Sequence, residues 1–272
     1  MTNYIWYKEH SICYEIHPAT NISQPNYLVL LHGFLASKYC FRHLIPSLTE
    51  NNHIISIDIP PFGKSSKNKN NLYTYDHIVK AIFFLLDQLK INKVSIIGHS
   101  MGGQIALRCS YYYTERIKKL FLLAPCSFMH PSPLFARLIS SNPLIPVIAK
   151  KFLKTKGVFE ILRQCMYNDA LITEEMLEQY KEPFKDEAIY RSIMTWLKDH
   201  KGDLVEEQLI TIKTPCSIFW GTDDLILPYE LGYDLLKCIQ NAKLYLFSEV
   251  GHFLPEEIPA RIVHIIQGEL KT

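Results

Sequence analysis

A chain of 272 residues, 48% of them hydrophobic, can bury a sizeable core, and wholesale disorder is excluded. Its formal charge of +2 lacks the basic excess expected of a dedicated nucleic-acid binder. No apolar run approaches the ~18 residues of a membrane span. The opening MTNYIWYKEH shows no basic stretch followed by an apolar run, and the seven cysteines, without paired spacing, read as thiols of a reducing compartment. The expectation is a cytoplasmic protein with no integral membrane segment.

Taken in chain order, Tyr4–Tyr7 and Ser11–Ile16 read as an antiparallel hairpin on a sheet edge. Strands follow at Tyr27–Leu31 (YLVLL) and His53–Asp58 (HIISID). A helix is expected over Tyr75–Lys90, where Ile78, Ile82, Leu85, Leu86 and Leu89 fall on one face. Further strands read at Lys93–Ile97 (KVSII) and Lys118–Leu123 (KKLFLL), then at Pro215–Trp220 (PCSIFW) and Ala242–Phe247 (AKLYLF). Weaker helical patterns cover Tyr229–Ile239 and Glu256–Leu270. Several strands are apolar on both faces, as in a parallel sheet covered by helices on each side. The alternation implies a doubly wound, mostly parallel α/β sheet.

The rhythm stops between Ser127 and Ile210, where only helical patterns broken by proline and glycine are found. A plain loop of that length is uncommon, so the expected division is an α/β core of 1–126 and 211–272 with a helical cap inserted at 127–210. From Ala124 to Phe159 the chain carries no Asp or Glu but includes Arg137, Lys150, Lys151, Lys154 and Lys156. This reads as a solvated basic face on cap helices, with a role toward an anionic substrate or a membrane surface as the alternative.

Chemistry concentrates at Gly98-His99-Ser100-Met101-Gly102-Gly103, a G-x-S-x-G directly after KVSII and before the helix-like MGGQIALRCS. A serine hydroxyl is a weak nucleophile that needs exposure and an adjacent base. A tight strand-to-helix turn supplies the exposure, and the glycines remove Cβ atoms that would clash there. There is no C-x-x-C or H-E-x-x-H, so no metal signature is found.

These residues resemble the α/β-hydrolase family, and the resemblance covers nearly the whole chain. Leu31-His32-Gly33-Phe34 is similar to that family's oxyanion loop. Asp58-Ile59-Pro60-Pro61-Phe62-Gly63-Lys64-Ser65 is similar to its D-x-P-G-x-G-x-S turn, with Pro61 in place of the usual glycine. Trp220-Gly221-Thr222-Asp223-Asp224, followed by Pro228, resembles the acid loop, and Gly251-His252-Phe253 the histidine loop. The resemblance implies a nucleophile at Ser100, a base at His252 and an acid at Asp224. It selects Asp224 over Asp223 by its spacing from Trp220 and Pro228. Asp223 is then a turn residue, and His32 and His99 have structural roles. The family places serine, acid and histidine in this chain order. Each of the three follows a predicted strand, at the sheet edge where ligands of open α/β folds bind. The oxyanion donors implied are the backbone N–H groups of Phe34 and Met101. Cys126 reads as a buried thiol.

The expected activity is hydrolysis of a small carboxylic ester or related acyl substrate, such as a thioester or lactone, through an acyl-enzyme without a cofactor. Carbon–carbon bond hydrolysis of a diketone-like substrate by the same triad is an alternative; relatives of that kind often carry asparagine at the position of His99. A non-catalytic small-molecule receptor is a third reading.

Overall fold

The computed structural model describes residues 2–21, 26–68, 72–133, 145–152 and 157–271. Its strands are β1 (Thr2–Tyr7), β2 (His10–His17), β3 (Asn26–Leu31), β4 (Asn52–Asp58), β5 (Val94–His99), β6 (Ile117–Leu123), β7 (Cys216–Gly221) and β8 (Ala242–Phe247). They form one sheet in the order β1-β2-β4-β3-β5-β6-β7-β8. The β1–β2 and β2–β4 pairs are antiparallel and all others are parallel. Central strands such as β5 and β7 are buried along their whole length. That is why they read as continuous apolar runs, whereas β1 alternates exposed and half-buried positions.

Helices α1 (Ile45–Leu48), α2 (Tyr75–Gln88) and α3 (Met101–Tyr112) lie in the three connections from β3 to β6. The Thr74 hydroxyl caps α2 by accepting from the His77 N–H, and Asp76 in its first turn suits the helix dipole. The expected strand over Lys93–Ile97 runs on to His99 and meets the turn at Ser100 directly. After β7 come α9 (Glu230–Cys238), then α10 (Leu254–Glu257) and α11 (Pro259–Leu270) behind β8. The single helix expected over Glu256–Leu270 is thus two. Ile258 leaves helical geometry at φ −134°, and Pro259, which offers no N–H to an ongoing helix, starts the second.

Between β6 and β7 the chain holds α4 (Ile145–Phe152), α5 (Val158–Cys165), α6 (Glu174–Lys181), α7 (Ala188–Asp199) and α8 (Glu206–Leu209), with no strand among the described residues. The ends of this stretch are held side by side. The Asp203 N–H donates to the Met129 carbonyl at 2.8 Å, and the Met129 N–H donates to the Asp203 carboxylate at 3.1 Å. Of the basic residues expected here, Lys150 is paired with Glu187, whereas Arg137, Lys154 and Lys156 lie outside the described residues. No described helix is long and apolar enough to cross a membrane.

Candidate active site

Ser100 sits at the junction of β5 and α3 with φ 52° and ψ −117°, a backbone region that L-residues occupy only when their surroundings enforce it. The enforcement is visible in the two flanking glycines. A Cβ on Gly98 would stand 2.4 Å from the Gly102 carbonyl oxygen, and one on Gly102 would stand 2.0 Å from that of Leu31. Without side chains there, α3 packs tightly on β3 and β5 and the turn can close. The twelve-residue α3 begins right after Ser100, so the positive end of its dipole faces the serine.

Asp224 follows β7 and His252 follows β8. His252 Nδ1 lies 2.7 Å from Asp224 Oδ2, with both side chains buried. A carboxylate can only accept, so Nδ1 carries the proton and Nε2 is left as the basic nitrogen. The second oxygen, Oδ1, accepts from the backbone N–H groups of Ile226 (2.8 Å) and Leu227 (2.9 Å), which fixes the carboxylate in its loop. The neighbouring Asp223 does different work. Its Oδ2 accepts from the Glu249 N–H at 2.9 Å and from the Thr222 hydroxyl at 2.9 Å, tying the acid loop to the histidine loop.

Ser100 is 7% exposed. Its hydroxyl lies 3.6 Å from Cys126 Sγ and makes no hydrogen bond to His252 among the described residues. The backbone binds the same pair, the Cys126 N–H donating to the Ser100 carbonyl at 2.9 Å. Burial pushes the Cys126 thiol up to about 12, so it stays protonated and is a weak hydrogen-bond partner. The sequence marks Cys126 as a buried thiol but carries no sign of this contact, which arises from two strand ends meeting across the sheet.

The two other histidines of the motifs have backbone partners. His32 accepts from the Ile59 N–H at Nε2 (2.8 Å) and donates from Nδ1 to the Gly33 carbonyl (2.8 Å). His99 donates from Nε2 to the His252 carbonyl at 2.9 Å and so braces the histidine loop. Burial, then the neighbouring His252, holds the His99 imidazole down to about 3, so it stays neutral. Both match the structural roles expected of them.

The Phe34 and Met101 backbones flank the serine, and neither N–H is engaged by another group among the described residues. The Phe34 ring packs on Phe62 (centroids 5.1 Å apart) and on Trp196 (4.7 Å). A narrow cavity of ≈ 50 Å³ opens beside Ser100 and His252, walled by Phe34, Val158, Leu162 and Phe184 among others. The walls from α5 to Phe184 belong to the helical stretch. That stretch is fastened to the histidine loop: the Phe253 N–H donates to the Cys165 carbonyl (2.9 Å), and the Tyr180 hydroxyl to Glu256 (2.8 Å). Glu256 also pairs with Arg42 at 2.5 Å, and Glu257 accepts from the Gly251 and Tyr167 N–H groups at 2.9 Å each. Hydrophobic periodicity carries no signal for these acidic anchors. The Pro255-Glu256-Glu257 run after His252 was their only trace. A larger groove of ≈ 410 Å³ lies at the opposite edge of the sheet, by Lys118, Lys119 and Lys243. Size does not make it the site, because Lys119 and Lys243 are both spent on Glu269.

The family profile for the α/β hydrolase fold matches residues 26–152. The uncharacterized hydrolase YugF of Bacillus subtilis (strain 168) is 36% identical over 90% of this chain and 89% of its own length. The chain belongs to the α/β-hydrolase family. Human monoacylglycerol lipase ABHD6 is 24% identical across 97% of this chain and 80% of that protein. The meta-cleavage product hydrolase CumD of Pseudomonas fluorescens IP01 superposes with a TM-score of 0.80 at 20% identity, covering 99% of this chain and 97% of its own. At that identity the likeness speaks for the fold alone. The protein is therefore a hydrolase of α/β-hydrolase fold.

Proposed function

We propose that this α/β-hydrolase is a serine hydrolase cleaving small carboxylic esters, or thioesters and lactones of similar shape, through an acyl-enzyme on Ser100. The observation that carries the reading is the buried 2.7 Å His252–Asp224 pair beside a serine held at positive φ on a helix N-terminus. In this account the Ser100 hydroxyl rotates from Cys126 toward His252 Nε2, since catalytic hydrogen bonds are often loose before substrate binds. Oγ attacks the ester carbon as Nε2 takes its proton. The Phe34 and Met101 N–H groups receive the developing oxyanion. The C–O bond then breaks, and His252 returns the proton to the leaving alcohol. A water deprotonated by the same nitrogen attacks the acyl carbon and releases the carboxylate with Ser100 restored.

The helical stretch at 127–210 serves as the cap, and its apolar wall suits an acyl chain. A cavity of ≈ 50 Å³ holds little more than water, against the ≈ 300–1,000 Å³ usual for ligand sites. Substrate entry therefore requires α5 and the segment behind it to move outward. The test is turnover of p-nitrophenyl esters of graded acyl length beside a vinylogous 1,5-diketone. Ester turnover with the diketone untouched is expected. The reverse pattern would mean carbon–carbon hydrolysis, and no turnover of either by folded protein would mean a receptor.

A further inference from the structure

Outside the apolar pocket, three side chains with metal-ligating atoms meet where the β1–β2 turn reaches the first turn of α2. Glu9 stands in that turn, His10 opens β2, and His77 is the third residue of α2. One ligating atom from each falls within 4.8 Å of the others, and the two imidazole centroids are 4.8 Å apart with planes tilted by 53°.

Their surroundings differ from those of a surface histidine pair. His10 is 1% exposed and His77 6%. Nε2 of His77 is buried without a hydrogen-bond partner among the described residues. Such an atom calls for a specific explanation, of which a bound ion is one. Nε2 of His10 lies 3.0 Å from the Leu72 carbonyl and so donates to it. A carbonyl on one ring nitrogen is the arrangement that fixes the tautomer and orientation of a ligating imidazole. Glu9 is exposed and brings a carboxylate to the cluster. Lys8 and Lys80 also act on His77 and oppose a cation, which argues for modest affinity.

We propose that Glu9, His10 and His77 form a divalent transition-metal site, best suited to zinc, that ties the edge hairpin to α2. Two imidazoles and one carboxylate, with a fourth position for water, are a zinc donor set, whereas calcium and magnesium prefer all-oxygen shells. Zinc bonds of about 2.0–2.2 Å place tetrahedral donors roughly 3.4 Å apart. The three donors must therefore close by up to about 1.4 Å, a movement the exposed Glu9 side chain and small ring rotations supply. A metal bound here stabilises the folded chain by mass action. The site was illegible in the sequence because its third ligand comes from a distant helix and matches no spacing motif.

The test titrates the purified, chelator-treated full chain with zinc chloride against a chromophoric chelator, for wild type, Glu9→Gln and His77→Gln. One ion per chain is expected in the wild type, with a raised thermal midpoint. Glu9→Gln should weaken binding at least tenfold and His77→Gln about a hundredfold. Cobalt substitution separates this site from the cysteines, because histidine and carboxylate ligands give visible bands without a near-ultraviolet thiolate band. Equal zinc uptake by wild type and Glu9→Gln, or a thiolate band, would overturn the proposal. If His77→Gln does not fold, Glu9→Gln alone decides, since its position is exposed.

Discussion

Asp224→Asn is the substitution whose outcome the geometry constrains most tightly. The side chain is fully buried, with Oδ2 2.7 Å from His252 Nδ1 and Oδ1 accepting two backbone N–H groups. An amide oxygen can still serve Ile226 and Leu227, so the loop persists. Weakening those two bonds by removing the charge costs about 1–2 kcal/mol of stability. The amide nitrogen then faces Nδ1 as a donor and forces the ring proton onto Nε2, where the base should be. Loss of tautomer control and of imidazolium stabilisation is worth about 10⁴ in rate, or roughly 5.4 kcal/mol of barrier. The assay is the acylation burst with a p-nitrophenyl ester, read beside a thermal melt that shows the fold is kept. Asp223→Asn is the internal control. Among the described residues its carboxylate bonds the Glu249 N–H and the Thr222 hydroxyl and not His252, so a loss under about tenfold is expected. A folded Asp224→Asn protein with near-wild-type acylation, or a larger loss at Asp223→Asn, would refute this assignment of the acid.

Leu162→Ala widens the wall beside Ser100, and the preference among esters should move toward longer acyl chains by about tenfold in kcat/KM per added methylene; an unchanged chain-length profile would place specificity elsewhere. Asp203, at the paired ends of the helical stretch, is raised to about 6, chiefly by burial. A folded-state value above the unfolded one means that the folded chain binds the extra proton. Stability from this group is thus full below the ordinary aspartate value and lost as pH rises to about 6. Asp203→Asn should flatten the fall of the thermal midpoint across that window, and parallel wild-type and variant curves would contradict the shift.

The sheet was legible because its central strands are buried on both faces and leave continuous apolar runs between turn signals. The tight strand-to-helix turn at Ser100 was equally legible, since its two glycines answer local contacts with Leu31 and with their own turn. Asp224 could be separated from Asp223 only through its spacing from Trp220 and Pro228, and the structure gives the two carboxylates different partners. Other features left no local mark. The break at Ile258 hides inside a helical pattern, because Pro259 is tolerated as a first helical residue. The Ser100–Cys126 contact and the Glu256 and Glu257 anchors join segments far apart in the chain. They follow from which strand ends are neighbours, a property of sheet order that hydrophobic periodicity does not carry.

The central claim, that Ser100 is an activated nucleophile, is tested most directly by intact-mass and peptide mapping after brief exposure to a fluorophosphonate. One adduct per chain, located on Ser100 and absent from folded Ser100→Ala protein along with its ester turnover, is the predicted result. Labelling elsewhere, or ester turnover that survives in Ser100→Ala, would contradict it.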